Sequence, residues 1–159
     1  MIQISTFRPQ QAEDLVEVFS EAVTTLTRAV YSDAQVEAWL ANTPDVEETR
    51  ARCADGRLTL VAQTEAGRVV AFVDLEDDGH IDLLYARPEI ARSGVTTALY
   101  AELEEAARAR GIDRLFVEAS ETARFFFEKQ GFTTLHRRDF EIHGVAIHNY
   151  AMEKHLAAG

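Results

Sequence analysis

A single cysteine, Cys53, stands among the 159 residues, so no disulfide can close within the chain. Basic residues are also few: 16 Lys and Arg face 27 Asp and Glu, a formal charge of −11. That balance argues against a nucleic-acid partner, which needs a basic face to neutralise phosphates, and would draw cationic small molecules instead. No apolar run approaches the roughly 18 residues of a membrane-spanning helix. The opening MIQISTFRPQ lacks the basic and apolar regions of a secretory signal. The expectation is a cytoplasmic protein with no membrane partner. Repeats, low-complexity tracts and linkers are missing too. What is present is a 47% hydrophobic composition in a length suited to one domain, read as 1–159.

IQISTFR alternates as a short strand, and from Pro9 onward Leu15, Val18, Phe19, Ala22, Val23 and Leu26 recur at helical spacing. Ser32 and Gln35 match a capping box that opens a second, shorter helix, which stops before Pro44. LTLVAQT, RVVAFVDLE and HIDLLYA read as an antiparallel meander turning at residues 65–67 and 77–79. Val95, Leu99, Leu103 and Ala106 stripe a long helix closed by Gly111. RLFVEAS is a buried strand, TARFFFEKQ a helix ended by Gly131, and the remainder a hairpin turning near Gly144. The order β α α β β β α β α β β predicts an α/β fold, a mixed sheet sandwiched by helices.

The stretch PEIARSGVTTALYAELEEAARARG interrupts an acidic chain with Arg92, Ser93 and Gly94 just ahead of a helix. A strand ending near Ala86, a short turn and a helix starting near Gly94 bring unpaired backbone N–H groups to the positive end of a helix dipole. Phosphate oxygens suit such a place. Gly94 carries no Cβ to hold an anion off, Ser93, Thr96 and Thr97 offer hydroxyls, and Arg92 offers a charge. An ordinary strand-to-helix connection with a surface arginine is the alternative. Neither G-x-G-x-x-G nor G-x-x-x-x-G-K-S/T occurs in the chain.

Together with ARFFFEKQGF, this stretch resembles the GNAT superfamily of acyl-CoA-dependent N-acetyltransferases, over nearly the whole chain. The family's pyrophosphate motif, Q/R-x-x-G-x-G/A, falls on Ala91, Arg92, Ser93, Gly94, Val95 and Thr96. Ala91 lacks the usual Gln or Arg side chain, and Thr96 replaces the second small residue. A second motif, N-x-x-A-x-x-F/L-Y-x-x-x-G-F, falls on Ser120, Ala123, Phe126, Phe127, Gly131 and Phe132, with Ser120 in the asparagine place and Phe127 in the tyrosine place.

The resemblance implies acetyl-CoA as cosubstrate, held in a splay between HIDLLYA and RLFVEAS, with its pantetheine against Leu84, Tyr85 and Ala86. It implies transfer of the acetyl group to an amine of a small molecule or peptide by direct attack in a ternary complex. Such an amine must shed a proton before attacking, since its unperturbed pKa is roughly 10.4. Candidates for the base are His80, Asp82 and Glu118, with Glu76 behind them; His80 and Asp82 share a strand face by the period-2 rule. Asp82 and Glu118 could instead cap a turn or pair with an arginine, and His80, flanked by a glycine, could be exposed. Tyr31 and Trp39 fall where the family covers its acceptor site, with core packing as the alternative for Trp39. The family's usual proton donor to the departing thiolate is a tyrosine at position 127, and a phenyl ring cannot donate. His143 and His148 have no third ligand and do not suggest a metal site. A non-catalytic acyl-CoA-binding module is the rival reading. Oligomeric state stays open, a homodimer being the commonest assembly.

Overall fold

The structure, a computed structural model, describes residues 1–26 and 30–156; of Leu26, the last apolar position expected on the first helix, the side chain lies outside the described set. Seven strands form one mixed sheet in the order β1-β2-β3-β4-β5-β7-β6. Along the chain these are β1 (Gln3–Thr6), α1 (Ala12–Leu26), α2 (Asp33–Ala41), α3 (Val46–Cys53), β2 (Leu58–Gln63), β3 (Val69–Leu75) and β4 (His80–Ala86). There follow α4 (Val95–Ala109), β5 (Arg114–Ala119), α5 (Glu121–Lys129), β6 (Thr133–Ile142) and β7 (Val145–His155). Single 3-10 turns at Pro9–Gln11 and Pro88–Ile90 lead into α1 and toward α4.

Helices cover both faces of the sheet. Leu99, Tyr100, Leu103 and Ala107 of α4 and Phe127 of α5 pack with Val73, Ile81, Leu115 and Val117 in one core. On the other face Leu15 and Val18 of α1 meet Val61 and Phe72, while Phe19, Val23, Tyr31 and Val36 close over Ile147.

The expected element order needs one correction, because α3 is an additional helix between α2 and β2. Its N-terminus is capped by Asp45, whose side chain accepts from the Glu48 amide. Within VEETRARC only Thr49 is buried, so there is no apolar stripe for a helical period to reveal.

Two features of the sheet shape its centre. Val73 lies opposite Leu84 and Leu75 opposite Ile81, so β4 carries one residue more than β3 between these pairs. The amides of Asp82 and Leu83 at this bulge both donate to Oδ1 of Asp74, at 3.2 and 2.8 Å. β4 and β5, the parallel pair, are in register only at His80 with Phe116 and Ile81 with Val117. Beyond that point β5 continues against β7, and the two central strands part. Gly79 permits the tight start of this pairing: its φ is +97°, Phe116 donates to its carbonyl at 3.0 Å, and any Cβ there would strike the Arg114 carbonyl.

Candidate active site

The parting of β4 from β5 leaves backbone polar groups without a strand partner. Arg87 donates to the Val70 carbonyl at 2.8 Å, which makes that pair hydrogen-bonded. By the alternation of an antiparallel ladder, Tyr85 likewise bonds to β3, while the amides of Leu84 and Ala86 turn toward the gap. Of the three residues expected to meet pantetheine, Tyr85 therefore contributes its side chain and not its amide.

Two cavities open into the gap. One, of about 390 Å³, is lined by Leu84, Tyr85, Ala86, Arg92, Gly94, Thr96, Thr97, Ser120 and Phe126. The other, of about 350 Å³, is lined by Tyr31, Trp39, Asp82, Glu118, Phe127, Arg138, Phe140, Ile147, His148 and Asn149, among others. Trp39, Leu84, Tyr85, Ser120 and Ala123 border both, so the two spaces meet.

The far end of the first cavity is the N-terminus of α4. Gly94 is the N-cap residue with φ +89°, and a Cβ built on it would project into open space. Among the described residues the amides of Gly94, Thr96 and Thr97 find no partner. Arg92 takes φ +64°, where a glycine is the easier residue, and its guanidinium has no ion-pair partner among the described residues. Unpaired amides, open space and an unengaged cation fit a pyrophosphate group. Ser93 is exposed and bonded within its own turn, donating to the Ile90 carbonyl at 2.6 Å and accepting from the Val95 amide at 3.3 Å. Neither Ser93 nor Val95 lines the cavity.

The three expected bases separate into two groups; Asp82 and Glu118 line the second cavity, and His80 lines neither. His80 Nε2 lies 2.8 Å from Glu118 Oε1, and its Nδ1 lies 2.7 Å from Glu76 Oε1. Burial opposes protonation of this imidazole, but the hydrogen bonds to Glu76 and Glu118 outweigh it and raise the His80 pKa above its ordinary value. Asp82 is instead bonded to Arg52, and to Arg57 at 3.2 Å, while the buried Asp74 binds the same two arginines. Of the two carboxylates that line the second cavity, Asp82, held by two guanidiniums, is the poorer proton acceptor, whereas Glu118 has the His80 imidazole as its one side-chain partner among the described residues. Ligand atoms of Glu76, His80 and Asp82 lie within 4.8 Å of one another, as a metal site requires. Those atoms are already committed to Glu118 and to the arginines, so a cation would have to displace existing bonds.

Hydroxyl groups near the junction also sort themselves. Phe127 is 1% exposed, packed with Phe126 and Phe132. Ser120 caps α5, accepting from the Ala123 amide at 3.1 Å, and its own proton remains to be donated. The Tyr85 pKa is raised chiefly by burial, with the neighbouring Trp39 indole acting the other way. Tyr150 donates to Glu121 at 2.8 Å and lines neither cavity. Tyr31 accepts from the Glu121 amide at 2.8 Å, and Glu121 also binds His148 at 2.7 Å, the first cause of its lowered pKa.

Sequence reasoning did not single out Arg52, Arg57, Asp74, Arg138 or Asn149. Each reaches the site through a pairing between distant segments, and the D-x-x-E of α3 was the one local signal for the helix that brings Arg52.

Comparison with known proteins agrees with this geometry. Residues 27–154 match the model of the acetyltransferase (GNAT) domain. The chain is 30% identical over 151 residues to the uncharacterised N-acetyltransferase YafP of Escherichia coli (strain K12), covering 95% of this chain and 94% of that protein. A GCN5-related N-acetyltransferase structure from Rhodopseudomonas palustris superposes with a TM-score of 0.89 at 36% identity, over 97% of this chain and 95% of that one. The fold is shared as well by the PaiA N-acetyltransferase of Thermoplasma acidophilum, solved with coenzyme A, at a TM-score of 0.79 and 20% identity over 98% and 99% of the two chains. A sheet opened between β4 and β5, with unpaired amides at the head of α4, thus accompanies a family match over most of the chain, which belongs to the GNAT family of acetyltransferases.

Proposed function

We propose that the chain transfers an acetyl group from acetyl-CoA to the amine of a small molecule or peptide by direct attack in a ternary complex. The observation that carries this is the meeting of the two cavities at the β4–β5 gap, with Glu118 on the wall of the second. The relatives, being N-acetyltransferases, favour turnover over a non-catalytic acyl-CoA-binding module.

Gly94, Thr96 and Thr97 would hold the pyrophosphate through their amides, with Arg92 adding charge. Leu84 and Ala86 turn amides into the gap, where a donor can stabilise the thioester carbonyl oxygen as it gains charge. Acetyl-CoA supplies an activated acyl group: the amine nitrogen bonds to its carbonyl carbon, the C–S bond breaks, and sulfur leaves as thiolate. Glu118 removes the proton that the ammonium must lose, directly or through one water, and His80 fixes the orientation of its carboxylate. Glu76 holds the opposite nitrogen of that imidazole. Ser120, bordering both cavities, is placed to pass on to the thiolate the second proton, which the nitrogen sheds once the C–N bond has formed. Cys53 lies in α3 outside both cavities, so no acetyl-cysteine is invoked.

An assay of thiol release with acetyl-CoA and a panel of amines tests the reading. Tight acetyl-CoA binding with no thiol above background for any amine would favour the binding module. A cytoplasmic location and a homodimer belong to the same reading, to be checked by fractionation and light scattering. Among the described residues no helix is long and apolar enough to cross a membrane.

A further inference from the structure

The second cavity is dipolar. On β5 it carries Glu118, beside Asp82 of β4, and on the hairpin of β6 and β7 it carries Arg138 and Asn149. Consecutive arginines on β6 point to opposite sides of the strand, and they meet different fates. Arg137 is neutralised by Asp139, with nitrogens 3.0 and 3.1 Å from Oδ1. Arg138 has only a neutral partner, donating from Nη1 to Asn149 Oδ1 at 3.1 Å across the register that places these two residues opposite each other. No carboxylate among the described residues pairs with it.

Its remaining N–H groups are therefore available on the cavity wall. The side chain is also steadied by the ring of Phe140, whose centroid is 5.6 Å from the guanidinium carbon. Arg52, Arg57, Arg68, Arg87, Arg114 and Arg124 all have acidic partners, whereas among the described residues Arg8, Arg92 and Arg110 share the lack of one with Arg138, which alone of these four lines the second cavity. Arg138 is exposed, yet it lines the cavity with no carboxylate to compensate it, and a guanidinium so placed can seat an anion. Trp39, Phe140 and Ile147 give this cavity an apolar wall beside the polar Tyr31, Asn42 and His148, with Phe140 and Ile147 one step beyond Arg138 and Asn149 along the hairpin. β6 stands two strand spacings from β5 in the sheet, about 10 Å.

We infer that the acceptor is a zwitterion: a small molecule with a primary amine for Glu118, an apolar body, and a carboxylate that Arg138 and Asn149 bind. This rests on the acetyltransferase reading above and names the substrate class of the same site. Binding of a carboxylate by a guanidinium is charge-assisted and favours planar, two-point contact, which a simple amine cannot make.

Matched pairs of acceptors test it, leucine with isopentylamine and 6-aminohexanoate with hexylamine, read as thiol release from acetyl-CoA. In the wild type the carboxylated member of at least one pair is expected to have the higher kcat/KM, by about 10- to 100-fold. In Arg138→Gln that preference, a ratio taken within one variant, is expected to fall to about one; Arg138→Lys retains part of it. Equal or better rates for the plain amine in both pairs would overturn the inference and leave the acetyltransferase reading standing. So would an unchanged ratio in a folded Arg138→Gln protein. A second readout does not need turnover. Trp39 is the sole tryptophan and borders both cavities, so its fluorescence reports binding of the four probes in the presence of CoA. Should no amine yield thiol, the activity reading fails, but tighter binding of the carboxylated probes that is lost in Arg138→Gln would still support the seat. No such preference would overturn it.

Discussion

His80 bridges two carboxylates, its Nε2 lying 2.8 Å from Glu118 and its Nδ1 2.7 Å from Glu76. An imidazole held on both sides by acceptors satisfies both only as the cation, which carries two N–H donors. The turn that ends β3 and the end of β5 are thus tied through one residue at the place where the central strands begin to part.

This predicts a pH-dependent contribution to stability. The folded-state pKa of His80 is raised by Glu76 and Glu118, so its stabilisation is full below the unfolded value of about 6.5 and is lost as pH rises through the folded value. His80→Gln should therefore lower Tm more at pH 5.5 than at pH 9, by thermal denaturation of both proteins. An equal deficit at the two pH values would show that the imidazole is not held as a cation.

A comparison of carboxylates follows. Glu118→Gln keeps the shape and removes the base, so kcat should fall by about 10²- to 10⁴-fold with acetyl-CoA affinity unchanged. Asp82→Asn should act on stability, because it strips a partner from Arg52 and from the largely buried Arg57. Breaking such a pair costs up to about 3–5 kcal/mol when fully buried, and less here because Asp82 is partly exposed. Urea denaturation and kcat measured on both variants check the division. A larger loss of kcat in folded Asp82→Asn than in Glu118→Gln would reverse the assignment.

How far the sequence led can be judged from particular residues. Ser32 and Gln35 form the expected capping box, each side chain bonding the other's backbone amide. Gly94 takes the left-handed conformation at the head of α4, and the gap opens between the two expected strands. These signals are local, or belong to a motif. The bulge at Asp82 and Leu83 was not legible, because it is held by a carboxylate on the neighbouring strand. Nor was the role of Arg138, which depends on a register pairing residues 138 and 149 and on Asp139 choosing Arg137. A period-2 rule tells which residues share a face, and not which of two arginines the fold leaves uncompensated.

The phosphate end of the first cavity separates charge from backbone conformation. Gly94→Glu places a bulky anion in the open space beside the unpaired amides, so acetyl-CoA binding should be abolished in a folded protein, as calorimetry would show. Arg92→Gly removes both a left-handed non-glycine residue and a cation. It should raise stability by about 1 kcal/mol while weakening acetyl-CoA, so the two effects run in opposite directions. Unchanged affinity in both variants would reduce the loop to a connector.

The departing thiolate provides the last prediction. Its conjugate thiol has a pKa near the roughly 8.5 of a free cysteine, so general acid help is useful and dispensable, worth at most about 10²- to 10⁴-fold. Phe127 cannot supply it, and Tyr150 is bonded to Glu121 away from both cavities. Ser120 and Tyr85 are the hydroxyls that border both spaces. Burial raises the Tyr85 pKa, and a weaker acid donates less readily, which favours Ser120 or a water bound to it. Ser120→Ala also removes the α5 cap, at a cost of about 1 kcal/mol, so its kcat must be read on protein shown to be folded. The expected result is a loss of about tenfold or less in kcat for Ser120→Ala and a smaller one for Tyr85→Phe. Phe127→Tyr, whose ring already lines the second cavity, should leave kcat equal or raised where the hydroxyl finds room. A basic limb in the wild-type pH profile of kcat that vanishes in Tyr85→Phe would transfer the role to Tyr85 and remove Ser120 from it.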